Sequence, residues 1–324
     1  MLQTYPHTLV YWSPTLSTSS YPHARSGLVK ISLAGVLWGT GGLAVQIVRE
    51  HAPLSPLTIS AYRTAIATVV LLGSLLALRQ GAELRRLATA HPRRVAVVGL
   101  ATATYQALYF SSVVAVGVTV ATVIALGLAP VLLTTVGAAR DRAWPRSATL
   151  LPVAAALTGL VLVSATSGSG ATGPHPGLGV LAALGSGAAY AAATVLGEPL
   201  ARGYTPLALT TAATAVGAAA LVPAALIGVQ LEAGAATTAD PTAVATLLYL
   251  GAATMALAYW LLYAGLRTTS SATAVVATLL EPVAAALVAA VVLGERLGAP
   301  GVFGAALILV AVASLGPGVS PSRS

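Results

Sequence analysis

The chain has 324 residues, of which 57% are hydrophobic and only 7% are charged, and its mean hydropathy is +0.87. A soluble domain is about one quarter charged, so this chain could not cover its own surface in water, and the composition predicts a membrane protein. The formal net charge of +8 does not indicate nucleic-acid binding, because the basic residues lie in links between apolar stretches.

Ten apolar stretches are long enough to cross a bilayer as helices, since a helical span needs about 20 apolar residues. They are continuously apolar and rich in Ala, Leu and Val, which favours helices over strands, and we expect an all-α polytopic membrane protein. The predicted spans are 28–48, 56–78, 94–112, 118–139, 148–166, 177–199, 205–229, 242–266, 271–293 and 299–316.

The segments outside the spans are polar or rich in glycine. Residues 1–27 are expected to form a disordered cytoplasmic tail, and residues 317–324 a second cytoplasmic tail. Residues 167–176, dense in Gly and Ser, predict a linker between two halves, 28–166 and 177–316. The Arg-rich link before the third span is interpreted as a topology determinant beside lipid headgroups, rather than as a site for an anionic ligand.

Two segments, 118–159 and 270–311, carry the same pattern, which indicates an internal duplication. Each contains small residues and Thr, a long apolar stretch with a proline, charges, and a second apolar stretch; the prolines, Pro130 and Pro282, are 152 residues apart. Since each half holds five stretches, an odd number, the halves must enter the bilayer in opposite orientations. Such inverted repeats are typical of secondary transporters, whose substrate site lies between the repeats near the bilayer midplane.

The distribution of basic residues predicts the orientation in the membrane. If the first terminus is cytoplasmic and the spans alternate, all but three of the 16 Lys and Arg residues lie on the cytoplasmic side. The exceptions are Arg49, Arg63 and Arg296. The positive-inside rule therefore predicts a multi-pass protein of the cell inner membrane with both termini in the cytoplasm.

Five short motifs are distributed over the two halves of the chain. They are Leu37-Trp38-Gly39, Ser60-Ala61-Tyr62-Arg63, Pro130, Leu280-Glu281-Pro282 and Leu293-Gly294-Glu295-Arg296-Leu297. In this order and spacing, from about residue 28 to 316, they resemble EamA-type members of the drug/metabolite transporter superfamily. The resemblance implies ten helices in two inverted five-helix repeats, alternating access, and export of small metabolites, amino acids or toxic compounds.

Glu281 is the only acidic residue near the middle of a predicted span. A carboxylate facing lipid would cost several kcal/mol, so we expect Glu281 to face protein or a cavity. There it would suit proton coupling or contact with a cationic substrate. The alternative is a structural role at the helix break that Pro282 causes by clashing with the preceding turn.

Arg63 is predicted to be a structural charge. It lies near the outer end of the second span, where a long side chain can lift its guanidinium toward the headgroups. Pairing with Glu281 is the alternative. An offset of about 150 leads from Arg63 to Ala213, so the second half has no equivalent arginine.

Aromatic residues cluster at helical spacing in two predicted spans, with Trp38 and Tyr190 at mid-depth in two others. Under the inverted topology, the third-span group lies toward the outside and the eighth-span group toward the inside. Together they could line a cavity for an apolar, aromatic or cationic solute; the alternative is an interfacial belt that anchors the helices. The predicted substrate-binding residues are Trp38, Thr102, Tyr105, Gln106, Tyr109, Tyr190, Tyr259, Tyr263 and Glu281. Pro130 and Pro282 are predicted gating or helix-break positions, since mid-span prolines free backbone carbonyls.

Enzyme chemistry finds no support in the sequence. There is no Walker-A, HExxH or GxSxG motif, and no cysteine, so we expect no catalytic residues, no cofactor and no metal. We expect a secondary transporter that exports a small amino-acid-like, aromatic or amphipathic cationic metabolite by alternating access, with protons as the candidate coupling ion. Its expected partners are the solute and the lipid bilayer, with monomer and homodimer both open. The alternative is a membrane-embedded scaffold or lipid-handling protein on the same fold.

Overall fold

A computed structural model describes residues 21–166, 176–232, 235–292 and 298–315 of the chain. Over these ranges the secondary structure is helical, apart from one isolated bridge between Leu54 and Ala235. The helices are α1 (Tyr21–His51), α2 (Pro56–Ala77), α3 (Gly81–Ala90), α4 (Pro92–Asp141), α5 (Ser147–Thr166), α6 (Pro176–Gly203), α7 (Pro206–Glu232), α8 (Pro241–Tyr249), a π-helical segment (Leu250–Leu257), α9 (Ala258–Leu266), α10 (Ser271–Ala277), α11 (Leu280–Val292) and α12 (Ala299–Ser314).

The predicted flanking segments lie largely outside the described residues. These are the first 20 residues of the expected tail, the linker up to residue 175, and the expected second tail at 317–324. Helix α1 begins at Tyr21, within the segment expected as tail. The Arg-rich link holds the short helix α3, whose Leu87 is buried against the bundle.

Eight helical segments among the described residues are long and apolar enough to cross a membrane, if α8, the π-helical segment and α9 are counted as one segment and α10 and α11 as another. Ala299–Ser314 is a shorter apolar helix. The chain is therefore a helical, multi-pass membrane protein. The difference from ten predicted spans arises at two places. Two predicted spans, 94–112 and 118–139, lie in the single helix α4, and the last predicted span is the short helix α12.

Helix α4 folds back on itself at Gly117. That residue has φ 81° and ψ 160°, a backbone conformation essentially restricted to glycine. The hydroxyls of Tyr109 and Thr122 are 2.8 Å apart, although 13 residues of straight helix would span about 20 Å. Helix α4 is thus two legs, 92–116 and 118–141, that lie side by side.

The two halves of the chain pack through equivalent glycine contacts. Gly99 of α4 lies against Ala213 and Val216 of α7, and Gly251 of the π-helical segment lies against Arg63 and Ile66 of α2. The two sets correspond at an offset of about 150 residues: Gly99 corresponds to Gly251, and Ala213 and Val216 correspond to Arg63 and Ile66. Helix α6 likewise packs along both legs of α4, as α1 packs along α10 and α11. One packing scheme is used twice.

The bundle has two distinct ends. At the arginine end, which we define by the link 79–94 and by 203–205 and 267–270, Arg86 and Arg267 donate to the carbonyls of Gly203 and Tyr204. At the opposite end, the bend end, lie Gly117 and the links 52–55 and 235–240.

The first helices of the two halves run in opposite directions. Gly27, near the start of α1, lies against Gly265 and Thr268 at the arginine end. Gly179, near the start of α6, lies against Ala115 and Val116 at the bend end. The direction of the fold in one half is therefore reversed in the other.

Replacing Gly117 with alanine should destabilise the protein, because a side chain at φ 81° costs about 1–3 kcal/mol of backbone strain. We expect Gly117→Ala to unfold at a lower temperature than the parent protein in a detergent-solubilised thermal melt. Gly137→Ala is the matched control: Gly137 lies in the same helix, and an added methyl group would meet no neighbour among the described residues, so the change should be tolerated. Equal melting temperatures for the two variants would contradict the bend.

Candidate functional site

A cavity of about 130 Å³ lies inside the bundle between α1, α2, both legs of α4, α9 and α11. Its wall is largely aromatic, with a few polar groups and three glycines of α1. The lining residues are Trp38, Gly39, Gly41, Gly42, Arg63, Tyr105, Gln106, Tyr109, Phe110, Val118, Thr122, Tyr259, Glu281, Pro282 and Ala285.

Six of the nine residues predicted to bind substrate line this cavity: Trp38, Tyr105, Gln106, Tyr109, Tyr259 and Glu281. The other three, Thr102, Tyr190 and Tyr263, line a narrow space about one helical turn nearer the arginine end, next to Tyr105 and Tyr259. The structure thus brings together all nine predicted residues in two adjoining layers.

The sequence patterns missed part of the wall. Phe110 follows Tyr109 directly and lies beside it, with ring centroids 5.5 Å apart. Thr122 reaches the cavity because the Gly117 bend returns the second leg of α4 to the first. A reversal of the chain inside an apolar run does not change its hydrophobic periodicity, so the glycine is the one sequence feature that could have indicated it.

A continuous chain of rings joins the two aromatic groups that were expected on opposite sides of the midplane. Trp38 lies 5.1 Å from Tyr259 and 6.2 Å from Tyr190, and Tyr105 lies 5.2 Å from Tyr190, between ring centroids. The Tyr190 hydroxyl is held 2.8 Å from that of Thr278. The buried rings of Tyr190, Tyr259 and Tyr263 separate the cavity from the arginine end.

Glu281 enters the cavity from a break in the ninth predicted span. Helix α10 ends at Ala277 and α11 begins at Leu280, so Glu281 and Pro282 occupy the first turn of α11. A proline there loses no hydrogen bond, and a carboxylate there faces the positive end of the helix dipole. Among the described residues, none forms a hydrogen bond or ion pair with the Glu281 carboxylate.

The helix break expected at Pro130 needs correction. Helix α4 continues through Pro130, and its one non-helical residue is Gly117. Pro130 lacks the N–H that would bond to the Leu126 carbonyl, and its own carbonyl accepts a hydrogen bond of 2.7 Å from the Thr134 hydroxyl. Pro130 also lies outside both layers of the site.

Arg63 turns into the bundle instead of lifting its guanidinium to the headgroups. It is only 8% exposed, and its Nη2 donates to the Thr254 hydroxyl at 3.1 Å. The guanidinium carbon lies 5.8 Å from the centre of the Phe110 ring. Its Nε has no acceptor among the described residues. Thr254 belongs to the π-helical segment, a type of distortion that is frequent at functional sites.

Gln106 contributes an amide to the cavity wall, in addition to the Glu281 carboxylate and the Arg63 guanidinium. It is 3% exposed, and neither its amide nitrogen nor its amide oxygen has a partner among the described residues. Over the same residues, no group of three or more His, Cys, Asp or Glu side chains could hold a metal ion. The cavity therefore offers a carboxylate, a guanidinium and an amide against aromatic rings.

Comparison with known proteins identifies the scaffold. Residues 25–165 and 177–316 each match the family described as the EamA-like transporter family. The chain belongs to the EamA-like transporter family. The double match confirms the duplication that the sequence predicts.

A similar protein supports this assignment, and a solved structure shares the fold. A Bacillus subtilis (strain 168) protein with the name Uncharacterized transporter YwfM is 30% identical over 280 residues, which are 86% of this chain and 90% of that protein. A protein with a solved crystal structure has the same fold, with a TM-score of 0.72 at 21% identity, over 92% of this chain and 98% of the other.

The absence of native cysteine permits a direct test of access to the cavity. Thr122→Cys, in the cavity wall, should react readily with a small thiosulfonate reagent in detergent-solubilised protein. Thr194→Cys, in the narrow layer and 1% exposed, should react much more slowly. Mass spectrometry of the labelled protein measures both rates, and equal rates would contradict the closed aromatic layer.

Proposed function

We propose that this EamA-like protein is a secondary transporter that exports a small amino-acid-like, aromatic or amphipathic cationic metabolite across the inner membrane, coupled to protons. The observation that carries the proposal is the cavity: aromatic rings and unpartnered polar groups line a space between the two halves of a duplicated bundle. That is where solute sites lie in inverted-repeat transporters. Buried charge without a structural partner is the usual mark of such a pathway.

Ten membrane crossings, in two inverted sets of five, follow in this proposal from the bend in α4. Each of its legs is long enough to span a bilayer core of about 30 Å. Helix α12, with 16 residues, supplies the tenth crossing with some local thinning of the bilayer. The opposite directions of α1 and α6 support the inversion, and the positive-inside rule places the arginine end in the cytoplasm.

Alternating access requires that the arginine end opens in another state, because the described contacts close it here. The ring of Tyr204 lies under the Arg86 guanidinium at 4.8 Å and meets the His91 ring at 5.7 Å. Nearby, the Glu198 carboxylate accepts from the Ser271 backbone N–H at 2.8 Å, at the start of α10. These contacts join α3, α6 and α10, and we propose that they form the cytoplasmic gate.

Proton coupling is assigned to Glu281. Removal from water disfavours the ionised carboxylate, so its protonation state can respond to a solute in the same cavity. The charged and titratable groups that face it are Arg63 of α2, Tyr105 and Tyr109 of α4, and Tyr259 of α9. Arg63 is the only one of these that is cationic and so favours the ionised form.

The topology can be tested with single cysteines at exposed positions of the two ends. We expect His51→Cys, at the bend end, to react with a membrane-impermeant maleimide on intact cells. Thr89→Cys, in α3 at the arginine end, should react only after permeabilisation. Labelling of both positions from the same side would contradict the proposed arrangement, and the reverse pattern would invert its orientation.

Transport can be tested in proteoliposomes with a panel of labelled amino acids and cationic dyes. We expect saturable flux of at least one panel member, with a rate that depends on pH, and we expect Glu281→Gln to flatten that pH dependence. Glu50→Gln is the matched control, since Glu50 is exposed at the bend end, bonds to Gln46 outside the cavity and should leave the profile unchanged. A retained flux with an unchanged pH profile in Glu281→Gln would exclude coupling through this carboxylate. A folded protein with no flux of any panel member would favour a scaffold or lipid-handling role.

A further inference from the structure

Arg63 and Glu281 line the same cavity without forming a salt bridge. Opposite charges removed from water are normally paired, because an unpaired buried ion loses several kcal/mol of solvation. Here the two charges lie in different helices, α2 and α11, with open space between them. We infer that Arg63 is a substrate-binding residue: it receives an anionic group of the solute while Glu281 receives a cationic group, so that the cavity selects zwitterions. This inference rests on the proposed transport function.

The guanidinium of Arg63 is positioned to receive an anion. The hydrogen bond to Thr254 and the contact with the Phe110 ring hold its plane, and its Nε remains without an acceptor among the described residues. A guanidinium held in this way presents N–H groups that match the two oxygens of a carboxylate. Arg63 lines the cavity, but its Nε is buried, so a solute carboxylate reaches that N–H only when the side chain shifts toward the open space.

Packing does not explain why an arginine is needed at this position. In the equivalent contact of the other half, Gly99 lies against Ala213, just as Gly251 lies against Arg63. The same close approach of helices is therefore achieved with an alanine. Glu281 shows the same asymmetry, since the residue 152 positions earlier is Ala129, which is fully buried. Each of the two charged residues is therefore present in only one half of the chain, although the helix packing is present in both halves.

Gln106 supplies a third contact. Its amide can donate and accept at the same time, and both of its polar atoms are unpartnered among the described residues. It can therefore bind either pole of a zwitterion without adding net charge. The remaining wall is apolar and aromatic, and the volume of about 130 Å³ favours a small solute with an apolar side group.

The test uses matched probes that differ only in their charged groups: L-valine, isobutylamine, which lacks the carboxylate, and isovalerate, which lacks the ammonium. A larger set with the same differences is L-phenylalanine, 2-phenylethylamine and 3-phenylpropionate. Calorimetric titration of the purified full chain should show that the amino acid of at least one set binds about tenfold more tightly than either partner, which corresponds to about 1.4 kcal/mol.

Two substitutions should remove this preference in opposite ways. Arg63→Gln should abolish the advantage of the amino acid over the amine, and Glu281→Gln its advantage over the carboxylate. If Arg63→Gln does not fold, Thr254→Val removes the hydrogen bond that positions the guanidinium, together with the local bond from the Thr254 hydroxyl to the Leu250 carbonyl, and it should weaken the carboxylate-bearing probes selectively. Arg140→Gln, at an exposed position in the last turn of α4 and outside both layers of the site, is a control and should leave all preferences unchanged.

Three results would overturn the inference. They are an amine that binds the parent protein as well as its amino acid does, an equal loss for all probes in Arg63→Gln, and an absence of binding for all six probes. Flux of cationic dyes combined with the first result would leave the transport function standing and reject only the zwitterion site. Absence of any flux in proteoliposomes would reject the transport function itself.

Discussion

The reversal of the chain at Gly117 is the constraint on which the site depends. Only a glycine accommodates φ 81° and ψ 160° without strain, and this single residue divides a helix of 50 residues into two antiparallel legs. The first leg supplies Gln106 and Tyr109 to the cavity, and the second supplies Thr122. A straight helix would carry these side chains about 20 Å apart. The wall therefore exists because the backbone turns, and the Tyr109–Thr122 hydrogen bond joins its two sides.

A duplicated scaffold carries an asymmetric site. Trp38 and Tyr190 are 152 residues apart in sequence, occupy equivalent helices, and meet edge to face, as residues near a pseudo-two-fold axis do. The charged groups do not obey this symmetry. Helix packing needs only small residues at the crossings, so each half retains the packing glycines, whereas the polar groups are free to differ. The symmetric part of the bundle explains the fold, and the asymmetric part explains the chemistry of the cavity.

The charged side chains inside this bundle are stabilised by protein groups that take the place of water. Arg63 finds a hydroxyl and an aromatic face, and Glu281 finds the first turn of a helix. Neither environment equals full solvation or a salt bridge. The buried rings of Tyr190, Tyr259 and Tyr263 lie on the arginine side of the cavity.

The sequence alone determined the helical membrane fold, the duplication and six of the residues that line the cavity. These properties depend on composition, on a repeat and on helical periodicity, which are local or additive and can be counted along the chain. Tertiary structure decided which way each side chain faces and how closely helices approach. Arg63 turns inward because of Thr254, 191 residues away, and Tyr105 and Tyr259 belong to one layer because Trp38 and Tyr190 lie between them. Likewise, the helix continues through Pro130, whereas Pro282 lies beside a break in the ninth span. Periodicity ranks residues around one helix axis, but the rotation of that axis against its neighbours is set by contacts between distant segments.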